Sequence, residues 1–120
     1  MRAILNQMVQ SQELDRTFSA LADPTRRDIL ERLAAGPASV TELAEPYGIS
    51  LPGVLKHIRI LERADLVATE KRGRTRECRL GPADMDDAND WIEHQRALWQ
   101  RRFDRLDSYL ARTTKGATHE

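Results

Sequence analysis

Two helix starts lie close together in the chain, at Ser39 and Ser50, and the residues between them cannot continue a helix. Ser39 and Glu42 have the S-x-x-E spacing of a capping box, in which each side chain satisfies a free backbone N–H at the helix start. Pro46 disturbs the last turn of the helix opened there. Gly48 suits the left-handed position just past a helix end, so the chain must turn before Ser50 caps the next helix. Two short helices joined through about four residues that include a glycine form a helix-turn-helix, and this narrows the fold far more than composition does.

The flanking segments extend that unit. Residues 11–22 put Leu14, Phe18 and Leu21 at helical spacing on one face, which predicts a first helix. Asp23 offers an N-cap and Pro24 sits at the first helical position, so "DPTRRDILERLAAG" reads as a second helix ending at Gly36, with Ile29, Leu30 and Leu33 as its buried stripe. After the turn, a fourth helix is expected over 51–64. At 100° per residue, Leu51, Val54, Ile58 and Leu61 gather as its core face. Pro52, Lys56, Arg59 and Arg63 gather opposite, with Leu55 at the boundary. The proline removes no needed bond so early in the helix, and Gly53 leaves that end bare enough to approach another surface closely.

Beyond it, Leu66, Val67 and Thr69 have strand character, "KRGRTR" turns at Gly73 and "RECRL" returns, which predicts a β-hairpin with a cationic tip. Residues 84–112 then form a long helix. Met85, Ala88, Ile92, Gln95, Trp99, Arg102, Leu106 and Tyr109 alternate steps of three and four along it, and Trp91, Leu98, Phe103 and Leu110 widen the stripe. A domain this small cannot cover so long an apolar stripe with its own helices, so a partner subunit is inferred. A single domain is expected over 1–112, and the polar stretch 113–120 is expected to fray as a tail.

The 120 residues carry 19 Lys and Arg against 19 Asp and Glu. Zero net charge argues at first against a polyanionic partner, but the charges are unevenly spread. Residues 1–55 carry 5 cations against 7 anions, residues 56–79 carry 8 against 4, and residues 80–120 carry 6 against 8. The middle stretch is a basic pole in an otherwise mildly acidic chain, and such a local patch is the electrostatic footprint of nucleic-acid binding, though a solvated charged face leaves the same trace. No apolar run approaches a membrane span and the start lacks the apolar region of a secretory signal, so no membrane partner and a cytoplasmic location are expected. The single cysteine, Cys78, cannot form an internal disulfide.

Residues 20–80, with the helix that follows, resemble the winged helix-turn-helix repressors of the ArsR type and look closest to a subgroup lacking the metal-binding cysteines. The likeness rests on "ADPTRR", on Ala44-Glu45-Pro46 before the turn, on Ser50-Leu51-Pro52 opening the fourth helix, on Lys56-His57-Ile58 within it, and on Trp91-Ile92-Glu93 followed by Trp99. The fold class it implies is mainly α, a winged helix-turn-helix with a two-stranded hairpin wing and a long C-terminal dimerisation helix. The resemblance further implies a homodimer with the first and last helices at the interface, the fourth helix in the DNA major groove, and the hairpin along the backbone or minor groove. Three positions depart from the subgroup's pattern: Leu55 stands where a serine is usual, Gly53 where alanine is usual, and Asp65 where glycine is usual. The first implies an altered base preference. The last is tolerable because Asp enters the left-handed region more readily than most residues.

Candidate contacts with double-stranded DNA are therefore Thr41, Ser50, Leu51, Pro52, Gly53, Leu55, Lys56 and Arg59 around the turn, with Arg72, Arg74 and Arg76 on the hairpin. Arg pairs bidentately with guanine, but phosphate contacts are at least as common as base contacts, and capping alone explains Ser50. Candidate dimer residues are Leu14, Phe18, Trp91, Ile92, Gln95, Leu98, Trp99 and Leu106. His57, near the core edge of its helix, is expected to be packed and hydrogen-bonded. Many relatives sense metals through paired cysteines in the third helix or Asp and His in the last. Here the third helix has no cysteine, and Asp90 and His94, with Asp86 and Asp87 nearby, fall short of a tetrahedral set, so no metal and no other cofactor is expected. No nucleophile-base set or phosphate loop is present, and an enzyme is not expected. Two readings stay open: a DNA-binding repressor, with or without an effector that releases it, and a protein-interaction module with an incidental basic patch.

Overall fold

A computed structural model describes residues 2–83 and 85–118, with side chains to residue 114. The elements are α1 (Arg2–Leu21), α2 (Pro24–Ala34), β1 (Ala38–Ser39), α3 (Val40–Ala44), a 3-10 turn (Glu45–Tyr47), α4 (Leu51–Arg63), β2 (Val67–Arg72), β3 (Thr75–Leu80) and α5 (Asp86–Thr118). They divide into two compact units, one ending at Met85 and one beginning at Asp86.

The caps form as their residue types dictate. The Asp23 carboxylate accepts the Arg26 N–H, and Pro24 opens α2. The Ser39 hydroxyl accepts the Glu42 N–H at 3.1 Å while the Glu42 carboxylate accepts the Ser39 N–H at 3.3 Å, completing the capping box. Gly48 turns the chain at φ 63°, and the Ser50 hydroxyl then caps α4 through the Gly53 N–H. At the far end of α4, Asp65 takes φ 58°. Its N–H bonds the Glu62 carbonyl and the Leu66 N–H bonds that of Leu61, a Schellman closure in which aspartate does the work usually given to glycine.

The core of the first unit gathers Ile29, Leu30 and Leu33 of α2, Leu43 of α3, Val54, Ile58 and Leu61 of α4, and Val67 and Cys78 of the sheet around Ala20 of α1. Leu51 departs from the expected core face. It shares an angle with Val54 and Ile58, but it stands at the very first position of α4, beyond the end of the packed layer, and is half exposed. The hairpin is also not alone. Ala38 and Ser39 pair with Cys78 and Glu77, so the expected two-stranded wing is the outer part of a three-stranded antiparallel sheet in the order β1-β3-β2. Its base is tightly closed: the Gly81 N–H bonds the Leu66 carbonyl and the Ala83 N–H that of Asp65, each at 2.9 Å. A Cβ on Gly81 would stand 2.3 Å from the Asp65 carbonyl oxygen, so only glycine fits there.

The first helix begins at Arg2 rather than residue 11, and Ile4, Leu5, Met8 and Val9 in the added turns are all more than half exposed. The second unit is α5, 33 residues or about 50 Å long. Met85 precedes it at φ 63° instead of joining its stripe, and Asp84, the expected first residue, lies outside the described residues. Residues 113–118 of the expected tail continue α5, where Thr113 and Thr114 hydroxyls donate to the carbonyls of Tyr109 and Leu110. Residues 119 and 120 lie outside the described residues. Within α5, Trp99 stacks obliquely against Phe103 with centroids 6.3 Å apart, and the Arg102 guanidinium lies 5.2 Å from the Trp99 ring centre.

Candidate nucleic-acid interface

The arginines of the first unit fall into two groups with different occupations. Arg26, Arg27 and Arg32 of α2 are hydrogen-bonded within the fold. Arg26 donates to the carbonyls of Ala20 and Ser19, and Arg27 to that of Leu21, so two side chains satisfy the open carbonyl end of α1. Arg32 donates to the carbonyls of Leu43 and Glu42 at the end of α3 and lies against the Tyr47 ring. The Tyr47 hydroxyl donates to the Asp28 carboxylate; burial first, and then this bond, push the phenol above its ordinary range. These contacts fix α3 and the turn onto α2. Local periodicity gave no sign of them, because each joins residues from different elements.

The second group faces solvent. On α4, Lys56 and Arg59 are exposed, and among the described residues neither makes a hydrogen bond or an ion pair. Pro52 is exposed beside them, Leu55 is half-buried at the edge of this face, and Gly53 and Ser50 form the end that points the first turn outward. Gly53 is not demanded by its own surroundings: a Cβ there would meet the Ser50 hydroxyl at 3.4 Å and Ile49 at 3.9 Å, ordinary contacts. Thr41 is exposed on α3. His57 turns the other way, half-buried, with Nδ1 3.1 Å from the Arg26 guanidinium and 3.9 Å from the Asp23 carboxylate. Burial works to raise the Asp23 carboxyl, but the Arg26 N–H it accepts, with the Arg26 charge beside it, helps outweigh that and hold it below its usual range.

The wing sorts its own cations. Arg72 lies 3.6 Å from Glu70 and 3.7 Å from Glu77, and Arg79 lies 3.3 Å from Glu70. Arg76 donates to the Thr69 hydroxyl at 2.8 Å, and Thr69 donates in turn to Glu62 of α4 at 2.7 Å, a chain that ties the wing to that helix. Arg72 pairs across with Thr75, leaving Gly73, at φ 61°, and Arg74 as the tip. Arg74 is exposed and, among the described residues, carries no such partner. Among the described residues, Lys56, Arg59 and Arg63 on α4 and Lys71 and Arg74 on the wing are thus the exposed cations with no hydrogen bond or ion pair nearby, and of these Lys56, Arg59 and Arg74 are the ones expected at DNA.

The residues expected at a dimer interface are divided between the units. Leu14 and Phe18 are half-buried on α1. On α5, Trp91, Ile92, Leu98, Trp99 and Leu106 are exposed and Gln95 is half-buried. Cys78 is fully buried beneath the sheet, and burial above all, with Glu62 and Glu77 nearby, pushes its thiol up to about 11. Among the described residues no helix is long and apolar enough to cross a membrane.

A helix-turn-helix domain family matches residues 21–70. The HTH-type transcriptional regulator Rv2034 of Mycobacterium tuberculosis is 45% identical over 71 residues, which span 59% of this chain and 66% of that regulator. The transcriptional repressor SdpR of Bacillus subtilis is 30% identical over 79 residues, covering 66% of this chain and 88% of that repressor. The crystal structure of an ArsR family transcriptional regulator superposes with a TM-score of 0.70 at 42% identity, over 75% of this chain and 93% of its own.

Proposed function

Since this chain belongs to the ArsR family of transcriptional regulators, we propose that it acts in the cytoplasm as a homodimeric repressor that occupies a palindromic operator without a metal ion. Its regulation of transcription through a DNA-binding helix-turn-helix follows from the family. What carries the finer reading is the division of labour among the cations: those of α2 are consumed inside the fold, while Lys56 and Arg59, with Arg63, on α4 and Arg74, with Lys71, on the wing stand exposed and, among the described residues, unmatched.

In this reading α4 enters the major groove. Lys56 and Arg59 reach guanine edges or flanking phosphates, and Leu55 reaches a thymine methyl. Leu51, Pro52 and Gly53 bring the first turn close to the duplex, with Ser50 and Thr41 donating to phosphate. Arg74, flanked by Arg72 and Arg76, lies along the backbone beyond the groove. Two copies join through the apolar residues of α1 and α5, Leu14, Phe18, Trp91, Ile92, Leu98, Trp99 and Leu106 with Gln95 among them, and their two α4 helices meet half-sites about 10 base pairs apart.

Selection from a random duplex library in the presence of a chelator tests it. The expected motif is an inverted repeat with a T·A pair inside each half-site and a guanine beside it. Recovery of an unrepeated motif, of no motif, or of a motif only when zinc is supplied overturns the dimeric, metal-free reading. No enrichment at any salt concentration favours a protein-docking module instead.

A further inference from the structure

We propose that Arg26 is a positioning residue that sets the spacing at which the two recognition helices of the dimer meet DNA. Its guanidinium is held by three acceptors on two other helices. Nε donates to the Ala20 carbonyl at 2.8 Å and Nη2 to the Ser19 carbonyl at 3.0 Å, both on α1, while Nη1 lies 3.1 Å from Nδ1 of His57 in the middle of α4. A guanidinium can only donate, so Nδ1 must be the accepting nitrogen of His57. Asp23, whose carboxylate accepts the Arg26 backbone N–H, fixes the root of the same side chain.

Apolar packing around Ala20 is non-directional and by itself tolerates small adjustments of α4 against α1. A planar fork with all three directions occupied does not, because its bonds fix angle as well as distance. The inference rests on the reading above, in which α1 belongs to the dimer interface and α4 to the groove. Given that, the angle between α1 and α4 helps set how the recognition helix stands to the two-fold axis. A slip of one helical residue is about 1.5 Å. Made in both protomers it changes the separation of the two helices by up to about 3 Å, close to the roughly 3.4 Å of one base-pair step. The clasp therefore holds a distance that DNA measures in single steps.

The test uses the full chain and the selected operator, remade with one base pair added to or removed from the centre. Wild type is expected to bind the altered spacings at least about tenfold more weakly, the size of a sizeable mismatch in such sites. Arg26→Lys keeps the charge but not the fork, and His57→Phe keeps the ring volume but removes the acceptor. Both are expected to bind the three spacings within about threefold of one another. His57→Asn, whose Oδ1 replaces Nδ1 as acceptor, restores the wild-type preference. Because His57→Phe leaves the α1 carbonyls capped, it remains informative if Arg26→Lys does not fold. Variants that lose affinity equally at every spacing, or keep the wild-type preference, overturn the proposal and reduce Arg26 to a cap for α1. A protonated Nδ1 on His57 in nitrogen NMR of the wild type does the same. If the wild type itself shows no spacing preference while binding the operator, the dimeric reading falls instead, and the proposal with it.

Discussion

Replacing Arg74 by alanine separates a working wing tip from a decorative one, and its neighbour Arg72 supplies the control. Each phosphate neutralised by a free cation releases counter-ions, which steepens the fall of log affinity with log salt by about 0.9. Arg74 has no carboxylate to give up, so in a symmetric dimer its loss from both wings should make the slope shallower by about 1.8. Between roughly 50 and 200 mM salt, a fourfold change, the deficit of the mutant relative to wild type then shrinks about tenfold. Arg72 is held between Glu70 and Glu77, 3.6 and 3.7 Å away. The two carboxylates beside it already offset its charge and oppose the approach of a phosphate, so it adds little to the neutralisation of the duplex. Arg72→Ala is therefore expected to leave the slope nearly unchanged. Fluorescence anisotropy on operator and random duplexes over a salt series reads both. Equal slopes for the two mutants, or an unchanged slope for Arg74→Ala, refute the reasoning. A loss confined to the operator shows that Arg74 reads bases.

Four shorter predictions follow from particular residues. Leu55→Ser keeps the fold and shifts or relaxes preference at one base pair by roughly 1 kcal/mol; library selection yielding identical motifs for both proteins would mean that Leu55 only packs. Gly53→Ala, which meets no clash, stabilises the chain by about 1 kcal/mol in thermal or urea denaturation yet weakens operator binding, because the added methyl stands where the backbone nears the duplex; undiminished affinity removes Gly53 from the interface. Trp99→Asp places a charge in the proposed dimer interface and is expected to cost several kcal/mol of association, so light scattering should show monomers at concentrations where the wild type is a dimer. For Cys78 the folded thiol, at about 11, titrates above its unfolded value of 9.0. The unfolded chain therefore loses this proton first as pH rises, and a contribution of roughly 2 to 3 kcal/mol, intact below pH ~9, disappears by pH ~11. Denaturation of wild type and Cys78→Ala should converge or cross over that interval; a constant difference contradicts the burial argument.

Features set by a few consecutive residues were legible in the chain. The caps at Asp23, Ser39 and Ser50, the turn at Gly48 and the tolerance of Asp65 for the left-handed region each depend on chemistry within three or four positions. Leu51 shows the limit of a helical wheel, which gives an angle but not a height: the residue has the core's direction and lies above its last layer. The strand Ala38–Ser39 is too short for alternation to register and exists only because Cys78 and Glu77 are there to pair. The early start of α1 is itself written in the sequence, since Ile4, Leu5, Met8 and Val9 recur at helical spacing on one face, although that face meets no core in the first unit. For the candidate interface, the exposure of Lys56 and Arg59 followed from periodicity. The distinction between the matched Arg72 and the unmatched Arg74 did not, since it depends on which carboxylates a hairpin register brings alongside.

The closure at the foot of the wing also bears on how such a regulator changes over generations. Gly81 locks against the backbone of Asp65, and the bonds from Gly81 and Ala83 bind the two strand roots to the end of α4. Whatever happens to the side chains at 72–75, that collar, with the chain from Arg76 through Thr69 to Glu62, holds the foot of the hairpin to the end of α4. The tip is in this sense a detachable nib on a fixed pen. Under the proposed reading, in which the tip touches DNA, its sequence can drift, lengthen or be grafted from another hairpin without disturbing the core, so new targets become reachable by altering a few exposed residues while the body that carries them stays the same. Position 81 should be the opposite, a site where a saturation library returns glycine alone.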